Sequence, residues 1–136
     1  MVESFAEYFD LKGAVGLFCV IRPEGSRFEE LLSDLPVSRG TLDARLKEGD
    51  ELGLLSKEVI RGETDVLELW VPTDRGIEVY EELHARQLPP RFEEYRDVVL
   101  EFEREKDAFV EYVERKGDAY LEDLDTTAYS QEESSR

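Results

Sequence analysis

The chain has 136 residues, with 34 acidic against 17 basic side chains and a formal net charge of −17. This length supports one domain with a hydrophobic core. No apolar run approaches the ~20 residues of a membrane span and the basic start of a signal peptide is lacking, so we expect a cytoplasmic protein without a membrane partner. A single cysteine and a single histidine exclude an internal disulfide and a Cys/His metal cluster, so we expect neither a metal nor a cofactor.

The excess of carboxylates is spread along the whole chain, and lysine is scarce, with five lysines against twelve arginines. Self-repulsion of this size destabilises a compact chain in dilute buffer. At molar salt the Debye length falls to ~3 Å and the repulsion is largely screened. The composition therefore favours a high-salt cytoplasm, and an acidic protein of an ordinary cytoplasm is the alternative.

The first part of the chain is predicted to be helical. Residues 3–21 form one helical segment with a break near Asp10, because apolar residues between Ala14 and Ile21 recur at intervals of three and four. A turn at 23–26 leads to a second, short helix that buries Phe28 and the leucines following it.

A third helix is predicted from Arg39 to about Leu52. Ser38 is a good N-cap for it, because its hydroxyl can accept a hydrogen bond from an otherwise unpaired backbone N–H. Gly53 stands where a left-handed residue ends a helix.

After Gly53 the apolar pattern changes to a period of two, which indicates strands. The strands are predicted at 54–60 and 66–71, joined by a turn at 61–65 into a β-hairpin. Thr73 is predicted to cap a fourth helix, which the Pro-Pro pair at 89–90 ends.

A fifth, long helix is predicted from Arg91 to about Arg115 or beyond. Its apolar residues alternate spacings of three and four, which is the heptad pattern of a helix that packs against another helix. Because this apolar seam is too long for one small domain to cover, we expect it to pair with a second copy of the chain, and folding back onto its own domain is the alternative. The predicted dimerisation residues are Phe92, Tyr95, Val99, Phe102, Phe109 and Val113.

Taken together, these elements predict a mainly α fold with a small β-hairpin (α+β). The run VSRGTLDARLK at 37–47, the LGLL at 52–55 and the Thr73-x-x-Gly76 spacing resemble winged helix-turn-helix transcriptional regulators of the MarR/PadR/ArsR-like superfamily, of a haloarchaeal type. The resemblance covers about residues 11–83. Gly49 departs from it, because these helices usually carry an apolar residue there; either the helix bends or another side chain packs against the glycine.

The resemblance implies a DNA-binding regulator rather than an enzyme, and no nucleophile motif, phosphate loop or metal spacing points elsewhere. It implies a winged-helix DNA-binding domain at 1–88, a dimerisation helix at 89–125 and a flexible polar tail at 126–136. The second helix of a helix-turn-helix unit enters the major groove of double-stranded DNA. The candidate DNA-binding residues are Ser38, Arg39, Gly40, Thr41, Arg45 and Lys47 on this helix, with Lys57 and Arg61 on the wing.

The local charge favours the same surface. Residues 36–62 carry five basic and five acidic side chains and are neutral within a chain of −17. Acidic side chains beside this surface suggest that potassium or other cations join the DNA interface. Two alternatives stay open: a winged-helix protein–protein interaction module without DNA affinity, and a ligand-gated regulator with a pocket at the dimerisation helix.

Overall fold

The computed structural model of the protein describes the backbone of residues 2–135 and the side chains of residues 2–117. Packing divides it into two compact units, one ending at Asp97 and the other beginning at Val98. The elements, in chain order, are α1 Phe5–Phe9, α2 Ala14–Val20, α3 Phe28–Asp34, α4 Arg39–Glu51, β1 Leu55–Arg61, β2 Val66–Pro72, α5 Asp74–Ala85 and α6 Leu88–Ser135. The predicted mainly α fold with a small hairpin is confirmed.

The predicted break in the first helical segment is present. Helix α1 ends at its C-cap Asp10, and α2 begins after Gly13, whose φ of +87° favours glycine. The apolar face predicted for α2 is buried, with Leu17 and Phe18 fully inaccessible to solvent. These side chains form the centre of the core on which the later elements pack.

Helices α3 and α4 form a helix-turn-helix unit. Ser38 caps α4 as predicted, since its Oγ accepts a hydrogen bond from the backbone N–H of Thr41 at 3.1 Å. Leu42 and Leu46 bury one face of α4 in the core. Gly53 follows the helix with a φ of +76°, the left-handed conformation predicted for it.

Gly49 is explained by what packs against it. A Cβ atom there would lie 2.7 Å from Cδ1 of Leu55 and 3.0 Å from the hydroxyl of Tyr8. Both neighbours are fully buried, so the glycine makes room for them beneath α4. Of the two interpretations of this departure from the resemblance, the packing of another side chain is therefore confirmed.

Strands β1 and β2 pair antiparallel, from Leu55 opposite Pro72 to Arg61 opposite Val66. The segment before α3 pairs with β2 through a single antiparallel bridge, which the sequence analysis did not predict. Ser26 exchanges two backbone hydrogen bonds with Trp70, at 3.0 and 2.8 Å. These bonds fix the base of the hairpin to the helical core.

The connection between α5 and α6 differs from the prediction. Helix α5 begins after its N-cap Thr73 as predicted, but it ends at Ala85, ahead of the proline pair. Gln87 adopts a φ of +58°, and α6 then begins at Leu88 rather than Arg91. Pro89 and Pro90 therefore stand in the first turn of α6, where backbone N–H groups have no helical acceptor and proline is tolerated.

Helix α6 is continuous except at Gly117, whose φ of 61° and ψ of −155° are not helical. Its backbone, as described, reaches Ser135 and so includes residues 126–135, for which the sequence favours a polar tail; Arg136 lies outside the described residues. The domain boundaries within this region stay predictions. None of the described helices combines the length and apolar character that crossing a membrane requires.

Candidate nucleic-acid interface

The first turn of α4 is open to solvent. Ser38, Arg39 and Gly40 are exposed, and Thr41 is half-buried. A Cβ atom added at Gly40 would meet nothing within 4 Å, so the backbone here can be approached closely. The Ser38 hydroxyl both caps the helix and donates to the hydroxyl of Thr41 at 3.0 Å.

Arg39 is exposed but already has a partner on α3. Its two terminal nitrogens donate to the two carboxylate oxygens of Glu29, at 2.9 and 3.2 Å. The guanidinium carbon also lies 5.2 Å from the ring centroid of Phe28, the geometry of a cation–π contact. The hydrogen bonds and charge of Glu29 raise the pKa of Arg39 above its ordinary value.

Arg45 does not lie on the open surface. Only 14% of its side chain is exposed, its Nε donates to the backbone carbonyl of Lys12 at 2.9 Å, and it forms an ion pair with Glu48. The Tyr8 hydroxyl donates to the backbone carbonyl of Arg45 at 2.8 Å, and burial raises the pKa of Tyr8 above its ordinary value, which keeps it a neutral donor. The structure therefore gives Arg45 a contact inside the protein that its sequence position on the reading helix did not indicate.

The other basic candidates are exposed and divided between α4 and the wing. Lys47 pairs with Asp43 one helical turn away, at 2.9 Å. Lys57 lies 3.4 Å from a carboxylate oxygen of Glu68 on the opposite strand, and Arg61 is the last residue of β1.

The wing as a whole is acidic, although residues 36–62, which include its first strand, are neutral. Residues 55–72 hold two basic side chains, Lys57 and Arg61, against four acidic ones, so their net charge is −2. The acidic residues are Glu58, Glu63, Asp65 and Glu68.

The residues predicted for dimerisation differ in how far they are exposed to solvent. Phe92, in the first unit, packs on its own domain, because two of its ring carbons lie within 2.7 Å of where a Cβ of Gly16 would stand. Tyr95 is 59% exposed in that unit. In the second unit Phe102 is 64% and Phe109 57% exposed, while Val99 and Val113 are half-buried. The structure thus assigns Phe92 to the domain core and leaves large apolar side chains exposed further along α6.

Two further features bear on a ligand or a redox signal. Within the described residues, two cavities border the start of α6. One of about 200 Å³ beside Gly16 and Phe92 is below the ~300–1,000 Å³ typical of small-molecule sites, and one of about 420 Å³ beside His84 and Pro90 is within that range. Burial raises the pKa of the Cys19 thiol to about 11, so this thiol is protonated at neutral pH.

Comparison with known proteins finds solved structures of similar fold. No family model matches the chain, and neither does any curated protein. A possible HxlR family transcriptional factor from Thermoplasma volcanium shares 20% identity with a TM-score of 0.50, over 60% of this chain and 72% of that one. The zinc-responsive MarR family member ZitR from Lactococcus lactis shares 17% identity with a TM-score of 0.48, over 92% and 76% of the two chains.

A putative MarR family transcriptional regulator from Listeria monocytogenes, complexed with a 26mer DNA, shares 25% identity with a TM-score of 0.47, over 86% of this chain and 79% of that one. The order of helices, the hairpin and the likeness to the Thermoplasma protein together show a winged helix-turn-helix fold.

Proposed function

We propose that this protein is a sequence-specific DNA-binding transcriptional regulator that acts as a homodimer on a pseudo-palindromic promoter site in a high-salt cytoplasm. The observation that carries the proposal is the first turn of α4, which is held from behind by Leu42 and Leu46 and presents Ser38, Arg39 and Gly40 to solvent. In a helix-turn-helix unit this is the turn whose side chains reach base edges in the major groove.

The candidate residues have different roles in this proposal. Arg39 reads a base, because its planar fork matches the two acceptors of guanine. Ser38 and Thr41 contact phosphate or base edges, and Gly40 permits a close approach of the backbone. Lys47, Lys57 and Arg61 contact phosphates, while Arg45 holds α4 against the turn before α2 rather than touching DNA.

The homodimer is proposed from the exposed aromatic residues of α6. Phe102 and Phe109 are separated by one heptad and more than half exposed, although each carries a large apolar surface. A second copy of the same helix would cover them symmetrically, and a dimer matches paired half-sites on DNA.

Cations complete the proposed interface. Glu48, Asp50, Glu51 and Glu58 flank the basic candidates and would repel nearby phosphates. Potassium ions held between carboxylates and phosphates would relieve that repulsion, so binding takes up cations while the basic side chains release others. Affinity would then depend only weakly on potassium concentration, in contrast to the steep loss usual for DNA-binding proteins.

The decisive experiment measures DNA binding of the wild type and two arginine variants. Binding to genomic fragments at several molar-range potassium concentrations identifies a site and the salt slope. We expect Arg39→Ala to weaken specific binding by about 1–3 kcal/mol, the value of one bidentate base contact. Arg86→Ala removes the same charge from another exposed arginine with a glutamate partner, and it should bind like the wild type.

Equal affinity of Arg39→Ala and wild type would exclude α4 as the reading helix. A slope equivalent to four or more released counterions per protomer would reject cation uptake and leave the DNA-binding proposal standing.

A second function is favoured by the wing. Its net charge of −2 opposes DNA contact, and Val59, Ile60 and Val66 near its tip are 48%, 49% and 58% exposed. Such a surface suits a protein partner, as in a winged-helix interaction module. Failure of the wild type to bind any genomic fragment, at any potassium concentration, would favour this function over regulation by DNA binding.

A further inference from the structure

Three side chains form a small cluster where the helices of the helix-turn-helix unit meet. Phe28 and Glu29 are the first two residues of α3, and Arg39 is the first residue of α4. The guanidinium carbon of Arg39 lies over the ring of Phe28, 5.2 Å from its centroid, and the two terminal nitrogens donate to the carboxylate of Glu29. Arg39 is therefore constrained on two sides although it is 63% exposed.

The contact with Glu29 leaves part of the guanidinium available. A guanidinium has five N–H donors in a fixed plane, and Glu29 takes one from each terminal nitrogen. Within the described part of the chain, Nε of Arg39 has no hydrogen-bond partner. The Nε–H and the adjacent outward N–H thus form a second fork, which has the spacing of the O6 and N7 acceptors of guanine. Arg39 can hold Glu29 and a guanine together.

Stability of the fold does not account for this arrangement. Both side chains of the pair are more than 60% exposed, and exposed ion pairs contribute little to folding. What the pair does is remove rotamer freedom from a long side chain that would otherwise lose it on binding. The same carboxylate would also compete with phosphates for the two terminal nitrogens of Arg39.

We infer that Glu29 is a positioning residue that orients Arg39 to read one guanine of the DNA site. The inference rests on the proposed function. A residue of α3 would then help to determine which DNA sequence is preferred. The preferred site would have a guanine in the major groove opposite the first turn of α4.

The test compares carboxylate variants on a panel of DNA sites. The base pair read by Arg39 is located first: it is the one at which the wild type prefers one base and the Arg39→Ala variant does not. At that position we expect Glu29→Ala to lower the preference for guanine at least about fivefold, the lower end of one bidentate contact. Glu29→Gln should rescue part of it, because an amide offers one acceptor oxygen where the carboxylate offers two.

Asp43→Asn is the matched control. It also removes a carboxylate that pairs with a basic residue of α4, Lys47, but it leaves Arg39 and Glu29 untouched. We expect it to change affinity for all sites equally. If Glu29→Ala behaves in the same way, raising affinity uniformly and keeping the preference for guanine, Glu29 is only a repelling charge and the inference is wrong.

A measurement without DNA separates the two proposals. The ¹⁵N heteronuclear NOE of the Arg39 Nε–H, recorded in the free protein at the potassium concentration of the binding assay, should show a rigid side chain in the wild type and a mobile one in Glu29→Ala. A mobile Arg39 in the wild type overturns the positioning role even if DNA binds. If Arg39 is rigid but no DNA binds, the proposed function fails and the guanine-reading role fails with it.

Discussion

At the scale of single residues, two glycines show how much a missing side chain can matter. Gly76 lies in the first turn of α5, and a Cβ atom there would stand 2.2 Å from the backbone oxygen of Leu54 and 3.1 Å from Cβ of Pro72. Gly40 lies in the first turn of α4, with nothing within 4 Å of the same position. One glycine therefore allows α5 to approach the start of the hairpin, whereas the other leaves a surface open.

These two positions should respond oppositely to alanine. We expect Gly76→Ala to lower the free energy of unfolding by about 1–3 kcal/mol, because a backbone atom must move, and the helix propensity of alanine offsets this only partly. Gly40→Ala should leave stability unchanged or raise it by up to about 1 kcal/mol. Urea denaturation in molar potassium chloride measures both. Equal free energies of unfolding for the two variants would show that the close approach at Gly76 does not contribute to stability.

Among the elements, α6 combines two kinds of packing. Its first turns belong to the unit that ends at Asp97, where Phe92 packs against Gly16 and the 18%-exposed Arg96 contacts Asp34 at 4.0 Å. Between Val98 and Gly117 its large apolar side chains are largely exposed. The heptad pattern is one continuous feature of the sequence, but its first residue, Phe92, packs on its own domain, whereas Phe102 and Phe109 are exposed.

The proposed dimer makes a direct prediction for this later part. Phe109→Glu should weaken the dimer at least about 100-fold, because each of two symmetric copies loses a buried aromatic ring worth ~1.5–3 kcal/mol and buries a charge instead. Ala108→Glu adds the same charge one residue away, outside the seam, and should stay dimeric. Sedimentation equilibrium in molar potassium chloride gives both constants. A monomeric wild type, or a Phe109→Glu variant as dimeric as Ala108→Glu, would contradict dimerisation through this helix.

For the whole molecule, the dominant quantity is the net charge of −17. Adding salt has two opposing effects on stability: it weakens the ion pairs and it screens the repulsion among carboxylates. Most ion pairs between described residues are exposed, such as Arg39 with Glu29 and Lys47 with Asp43, and exposed pairs contribute at most about 1 kcal/mol each. The repulsion, which acts over the whole surface, should therefore decide the outcome.

We accordingly expect the melting temperature to rise with potassium chloride from the millimolar to the molar range. Differential scanning calorimetry at fixed pH measures it, and sodium chloride at equal ionic strength serves as the control, because screening depends on ionic strength rather than on the cation. A melting temperature that is constant or falls with salt would remove the case for a high-salt cytoplasm.

Features that depend on near neighbours in the chain could be predicted from the sequence alone. The caps Ser38 and Thr73 act on backbone groups three residues ahead, and the left-handed Gly53 ends its helix locally, so each could be read from residue type and position. The buried face of α2 and the hairpin followed from periodicity for the same reason. The exposed first turn of α4, with Arg39 at its start, was predictable because the opposite face of that helix is apolar.

Contacts that depend on which helices meet could be seen only in the folded protein. Arg45 stands on the predicted reading helix, yet its guanidinium contacts Lys12, which is 33 residues away in the chain. Glu29 and Arg39 meet only because the turn between α3 and α4 brings their first residues together. Phe92 matches the heptad spacing but packs on Gly16, since a periodic pattern specifies that a face is apolar and not what covers it.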